Sequence, residues 1–340
     1  MQQLRRDNHY VPELYLKQWA HQGKILTYRL LVPHERCPLW KEHSLAGIAY
    51  HQHLYTYFAG QGDTDEFERW LDREFESPAV DAIRRVAQEE RLRPEHWANL
   101  VRFAVAQKVR TPASLRAFLT RQADSLQSLM TETVEHSLVK LEKAYSAGTR
   151  PPIAETDSTN PLPLKVAIKQ QADGSGVIET QTIIGRRLWL WQVRHILSST
   201  LTRLPRHHWT ILHAPEGMTW PTSDNPVICL NFVNEKEYDF KGGWGRRKGD
   251  IILPLSPKHL MYTCIGKHPW PRGTVLDEKT ALLMRRLIIE HADRYIFATE
   301  PSDIHLLRPR VVSPEACRQE RQTWQNWHEE QRQAEVELMA

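Results

Sequence analysis

IILPLSPKHLMYTCI, residues 251–265, holds two β-rich runs, Ile251–Leu255 and Leu260–Ile265, set apart by proline. Runs of branched and large apolar residues bounded by turn formers read as strands. Working outward, Trp209–His213, Thr219–Thr222 and Val227–Phe232 have the same character and are broken off by glycine or proline. Together they predict a mainly antiparallel sheet. A helix over about Leu276–Ala292 and a strand at Tyr295–Ala298 follow, and Pro314–Met339 reads as one polar helix.

Upstream the pattern changes. Asp63–Ser146 contains no glycine and repeats apolar residues every three or four positions, which predicts about three helices. Thr64 is placed to cap the first, Arg93-Pro94-Glu95 separates Ala79–Arg91 from a helix through Trp97, Leu100, Phe103 and Val105, and Arg110-Thr111-Pro112 ends that one. A further helix is expected over Ile184–Leu204, and strands at Lys24–Leu31 and Ile48–Tyr57. The fold class is therefore α+β: an N-terminal arm with short strands, a central helical bundle, then a sheet with flanking helices. Residues 148–176 are rich in proline, glycine, serine and threonine and predict an exposed connection. It divides 1–147 from 177–312, which packs on the first part as one composite domain, with 313–340 as the C-terminal helix.

The balance of 45 Lys+Arg against 41 Asp+Glu gives a net charge of +4, which permits an anionic partner without demanding one. Cys37, Cys229, Cys264 and Cys317 are widely spaced and form no zinc or redox pattern, as expected of reduced thiols. No apolar run approaches the ~20 residues of a membrane span, and the first residues lack a signal-peptide core, so the expected compartment is the cytoplasm. No Gly-x-Gly-x-x-Gly, Walker loop or nucleophile-elbow serine is present, which disfavours those enzyme classes.

Five places carry candidate chemistry. In His9-Tyr10-Val11-Pro12 the proline makes an extended arm that enters a helix at Glu13, a firm mount for His9 and Tyr10. Thr222-Ser223-Asp224-Asn225-Pro226 reads either as a structural Asx-turn or as a strand end presenting Asp224 and Asn225 to a cleft, where Asp224 would hold a metal or a water. Gln107 and Arg110 lie three apart near a helix end; Arg110 serves there as a dipole cap or as an anion clamp. Glu68, Asp72 and Glu76 line one side of a helix, either as a solvated stripe or as a second source of oxygen ligands suited to magnesium. His51 and His53 would share a strand face, but without further spaced ligands neither they nor His207-His208 make a zinc signature. Lys241–Lys248 (KGGWGRRK) is a flexible loop or a phosphate-contacting one, with Arg246, Arg247 and Lys248 as contacts and Trp244 stacking on a base or sugar.

His9-Tyr10-Val11-Pro12 with Tyr15-Leu16, Gln107 with Arg110-Thr111-Pro112, Ser223-Asp224-Asn225-Pro226 and Pro254-Leu255-Ser256-Pro257 occur in that order. In this order the chain resembles the bacterial family known as domain of unknown function 4238, from about residue 8 to about residue 300. Glu68 and Glu76 look like the acidic positions that precede the family's central helices. The resemblance implies a family and no reaction.

The leading expectation is a hydrolase acting on a phosphodiester or nucleic-acid-like anion, with a divalent cation such as magnesium. His9 would be the proton carrier, Asp224 and Glu68 would hold metal or water, and Arg110 would bind the anion, with Tyr10, Gln107, Asn225 and the basic loop as substrate contacts. The rivals are a non-catalytic interaction protein with Arg110 paired to Glu68 or Asp224 in a buried polar network closed by His9, and a nucleic-acid-binding protein working through the basic loop.

Overall fold

In the computed structural model, which describes residues 4–60, 62–149, 162–172, 176–203 and 206–339, the strand Gly249–Ser256 is the middle of a five-stranded antiparallel sheet. The order is Thr210–His213, His259–Cys264, Gly249–Ser256, Ile228–Asn234, Glu237–Asp239. Side chains alternate across a strand. Ile251, Leu253 and Leu255 therefore enter one core with Ile83, Leu100 and Phe103, while Ile252 enters another with Met284, Leu287 and Ile288. Helices cover both faces of the sheet, which is why this strand is apolar almost throughout rather than alternating. Each large aliphatic side chain buried there contributes about 1.5–3 kcal/mol.

A second antiparallel sheet joins distant segments in the order Thr222–Ser223, Tyr295–Ala298, Lys24–Arg29, Trp40–Ser44. The helices run Glu66–Leu71, continuing through a widened turn at Asp72–Glu76 to Val80–Ala87, then Pro94–Val109, Pro112–Ser146, Arg186–His195, Glu278–His291 and Pro314–Met339. Capping explains two starts: Thr111 accepts from the Ser114 amide at 3.2 Å, and Asp277 from the Thr280 amide at 3.0 Å. Thr64 accepts from the Glu66 amide, although Asp65 occupies the cap position.

The α+β class holds, and several boundaries differ from the sequence reading. Ile48–Tyr57 is two strands, Tyr50–Gln52 and Tyr57–Ala59, because His53 adopts φ 57° and the Tyr55 amide turns inward to the Asn8 side chain. Thr219–Thr222 contributes only Thr222–Ser223. The expected Ile184–Leu204 helix is Arg186–His195 followed by a widened turn to Thr200 and a tight one over Leu201–Arg203; Leu204 lies outside the described residues. Of the expected connection 148–176, residues 150–161 and 173–175 lie outside the described residues, while Lys165–Gln170 pairs with Gly176–Gln181 as a hairpin. Among the described residues no helix is long and apolar enough to cross a membrane.

The C-terminal helix is bound to the body through a buried ion pair. Arg186, fully buried, donates from Nε and a terminal nitrogen to the two oxygens of Glu335 at 3.0 and 2.9 Å. Glu335 also accepts from the Phe58 amide, and Arg186 reaches the His53 carbonyl. Removing one partner strands the other charge in the interior, so Glu335→Ala is expected to cost about 3–5 kcal/mol in urea unfolding. Arg186→Met with Glu335→Leu should recover most of that loss; a single variant as stable as the parent would contradict the pairing.

Candidate functional site

The arm Asp7–His9 pairs with Tyr50–Gln52, and Pro12 lies at the cap of the helix Glu13–Leu16, one position before its first turn. Gln107 and Arg110, three apart on Pro94–Val109 and its end, face the arm together. Gln107 Nε2 donates to the Tyr10 carbonyl at 2.7 Å, and Arg110 donates to the His9 carbonyl at 2.5 Å. The same guanidinium donates to Glu76 at 2.5 Å and to the Tyr55 hydroxyl at 3.2 Å; that hydroxyl donates back to the Arg110 carbonyl at 2.7 Å. Burial works against the Arg110 charge, but Glu76, Tyr55 and Glu68 hold it charged, above its ordinary pKa. Arg110 is thus paired with Glu76 and aimed at the backbone of the arm.

His9 itself turns elsewhere. Its Nε2 lies 3.3 Å from Glu13, its ring meets Tyr50, and its Nδ1 is enclosed without a hydrogen-bond partner among the described residues. Burial lowers its pKa, so the imidazole is neutral near pH 7. Glu68 lies beside Arg110 and Glu76, with Oε2 enclosed and without a hydrogen-bond partner among the described residues. Burial pushes its carboxyl up to about 8.

Asp224 belongs to a different cluster. Its two oxygens accept from the Asp293 and Arg294 amides at 2.9 and 2.7 Å, and its own amide donates to the Tyr295 carbonyl. Burial and the Asp293 charge raise its carboxyl to about 7, against the pull of those amides. Asn225 is fastened to His291, whose Nδ1 donates to the Asn225 carbonyl at 2.8 Å. The Tyr15 hydroxyl donates to the Pro254 carbonyl at 2.7 Å and so accepts from Thr222 at 2.6 Å. One phenol therefore ties the first, third and fourth of the ordered motifs.

The first three motifs meet at a cavity of about 270 Å³. Tyr10, Pro112 and Asp224 line it with Asp293, Arg294 and Tyr295, and the C-terminal helix supplies Arg321 and Trp324. Arg116 pairs with Asp293, and Arg294 with Glu320 at 2.6 Å. Arg29 and Arg321, exposed at the rim, have no carboxylate partner among the described residues. His51, also in the lining, stacks on Trp324 at 3.8 Å, and burial lowers its pKa to about 4; His53 stacks instead on His328.

A family model described as protein of unknown function, DUF4238, matches residues 7–302. The chain belongs to the DUF4238 family. No curated protein and no solved structure shows a significant match. In this DUF4238 chain the structure brings Tyr10 and Asp224 to one cavity, with Gln107 holding the Tyr10 carbonyl and Asn225 fixing the adjoining turn. It does not bring His9 and Asp224 to common hydrogen-bond partners, and Glu68 and Asp224 have different neighbours. Arg246, Arg247 and Lys248 are exposed on a separate loop. Arg247 lines a 430 Å³ cavity with Arg206, His207, His208, Lys267 and His268, whereas Trp244 packs on Trp209. Sequence reasoning missed Asp293, Arg294 and Arg321; their signal is weak, because the first two hold Asp224 through backbone amides and no motif marks their side-chain pairs.

Glu68 makes a pH dependence measurable. The unfolded carboxyl loses its proton near 4.5 and the folded one only near 8, so folding takes up a proton between those values. Stability falls as pH rises through that window, by at most about 1.4 kcal/mol per unit from this group. Glu68→Gln should therefore gain stability over the parent in urea at pH 8 and show little gain at pH 5. An equal difference at both values would contradict the burial assignment.

Proposed function

We propose that the cavity between the arm, the Asp224 turn and the C-terminal helix binds a small anion of the phosphate-ester class. The observation that carries this reading is the pair of rim arginines without carboxylate partners, Arg29 and Arg321, beside the buried acid Asp224. A guanidinium can grip phosphate with two parallel hydrogen bonds. Hydrolysis of a phosphodiester there would use Asp224 as proton carrier in place of His9, since its carboxyl titrates near neutrality and lines the cavity. Arg110 and Gln107 act as positioning residues that fix the arm and so aim Tyr10. The free thiols suit a cytoplasmic setting.

A second reading, nucleic-acid binding, is favoured by one observation: the charged side chains lining the 430 Å³ cavity are all basic. It places Arg246, Arg247 and Lys248 along a phosphate backbone.

Calorimetric titration with inorganic pyrophosphate tests the first reading, with Arg321→Ala and Arg29→Ala expected to weaken binding roughly 10-fold each, the order of one lost charged hydrogen bond. Turnover of a generic phosphodiester, assayed with and without magnesium, should fall steeply in Asp224→Asn and survive His9→Ala. Binding that is indifferent to both arginines would sink the cavity assignment. Replacing Arg246, Arg247 and Lys248 together should leave pyrophosphate binding intact and weaken salt-sensitive oligonucleotide binding; no effect on the oligonucleotide would remove the second reading.

A further inference from the structure

The strands Thr210–His213 and His259–Cys264 pair with His213 directly opposite His259. Residues so opposed share a face with Cβ atoms about 4.5–5.5 Å apart. The two rings meet edge to face at 4.7 Å between centroids. Glu89, in the turn after the helix Val80–Ala87 and held at φ 58°, brings its carboxylate over the pair. Its Oε1 lies 3.6 Å from His259 Nε2 and 3.8 Å from His213 Nδ1, and one ligand atom from each of the three falls within 4.8 Å of the others.

We propose that Glu89, His213 and His259 form a binding site for a divalent transition metal, with zinc the best match. The second observation that points to a ligand is His259 itself. It is 3 % exposed, and its Nε2 is enclosed, faces the cluster and has no hydrogen-bond partner among the described residues. A buried imidazole nitrogen left without a partner costs stability unless something fills its lone pair. Its other nitrogen is engaged: Nδ1 lies 2.7 Å from the Ser256 hydroxyl, which also accepts from the Lys258 amide at 3.1 Å. That is the outer contact that orients a metal-bound histidine. Ser256 sits in Pro254-Leu255-Ser256-Pro257, the motif left without a role by the anionic cavity.

The spacing suits zinc. Ligand bonds of about 2.0–2.1 Å in a tetrahedron put neighbouring ligand atoms roughly 3.4 Å apart, close to the 3.6 and 3.8 Å that separate Glu89 from the two imidazole nitrogens. Two imidazoles and one carboxylate select a borderline transition ion over magnesium or calcium, which take oxygen. Three protein ligands leave a fourth position for water or a substrate oxygen. Glu89 is largely exposed, so an ion has access from solvent. The site shares no residue with the Asp224 cavity and stands independently of the function proposed for it.

The test is calorimetric titration of Zn²⁺ into the tag-free full chain after chelator dialysis. One equivalent should bind with a dissociation constant in the micromolar range or tighter. Glu89→Gln and His213→Gln, both at accessible positions, should weaken it by at least roughly 10-fold each, and Ser256→Ala by a comparable factor through the outer contact. Circular dichroism melts of each variant without metal show that the fold is retained. His208→Ala with His268→Ala, which removes a different close histidine pair, should leave the equivalent intact. Absence of binding to the parent chain, binding unchanged in folded Glu89→Gln and His213→Gln, or loss confined to the His208 and His268 variant would each overturn the proposal.

Discussion

A guanidinium in the interior must be fully satisfied, and Arg110 is the cation on which this arrangement depends. Its donors go to the His9 carbonyl, to Glu76 and to the Tyr55 hydroxyl, so a single side chain links the N-terminal arm, the segment after Tyr50–Gln52 and two helices. Gln107, one turn earlier, takes the next carbonyl of the arm. Two polar side chains three apart on a helix thereby read two successive backbone acceptors. The arm is held extended, and Tyr10 points into the cavity. Asp224 does the complementary thing with a carboxylate, gathering the amides of Asp293 and Arg294 and turning the second sheet toward the same place.

Both clusters are closed by backbone groups, which explains what could be read from the residues alone. The helices and the central strands follow from apolar spacing, and the ordered polar motifs mark the family match. Partners are another matter. A carbonyl or an amide has no side-chain signature, so nothing in the sequence distinguishes Arg110 holding a substrate anion from Arg110 holding the arm. Glu68 and Glu76 share one helical stripe, and only the widened turn over Asp72–Glu76 decides that Glu76 meets the guanidinium. The split of Ile48–Tyr57 into two strands was hidden for the same reason: the Tyr55 amide leaves the ladder for the Asn8 side chain. His213 and His259 were invisible because their proximity comes from strand register, with no short spacing to betray it.

The proposed function rests on what these frames leave over. Among the described residues Arg116 and Arg294 are matched by acids, whereas Arg29 and Arg321 are not, so the cavity presents exposed positive charge beside a titratable acid. The C-terminal helix is part of that wall, fixed by the Arg186–Glu335 pair rather than appended to the domain.

Arg110 and Asp224 hold the ordered polar motifs in a preformed frame closed by the chain's own groups. Native-state hydrogen exchange on the ligand-free chain tests it most directly, read at the amides of Tyr55, Asp293 and Arg294, which donate to Asn8 and Asp224. The account predicts that these three exchange only through global unfolding, as slowly as the central strand Gly249–Ser256. Fast exchange through local opening at Asp293 and Arg294 would contradict it.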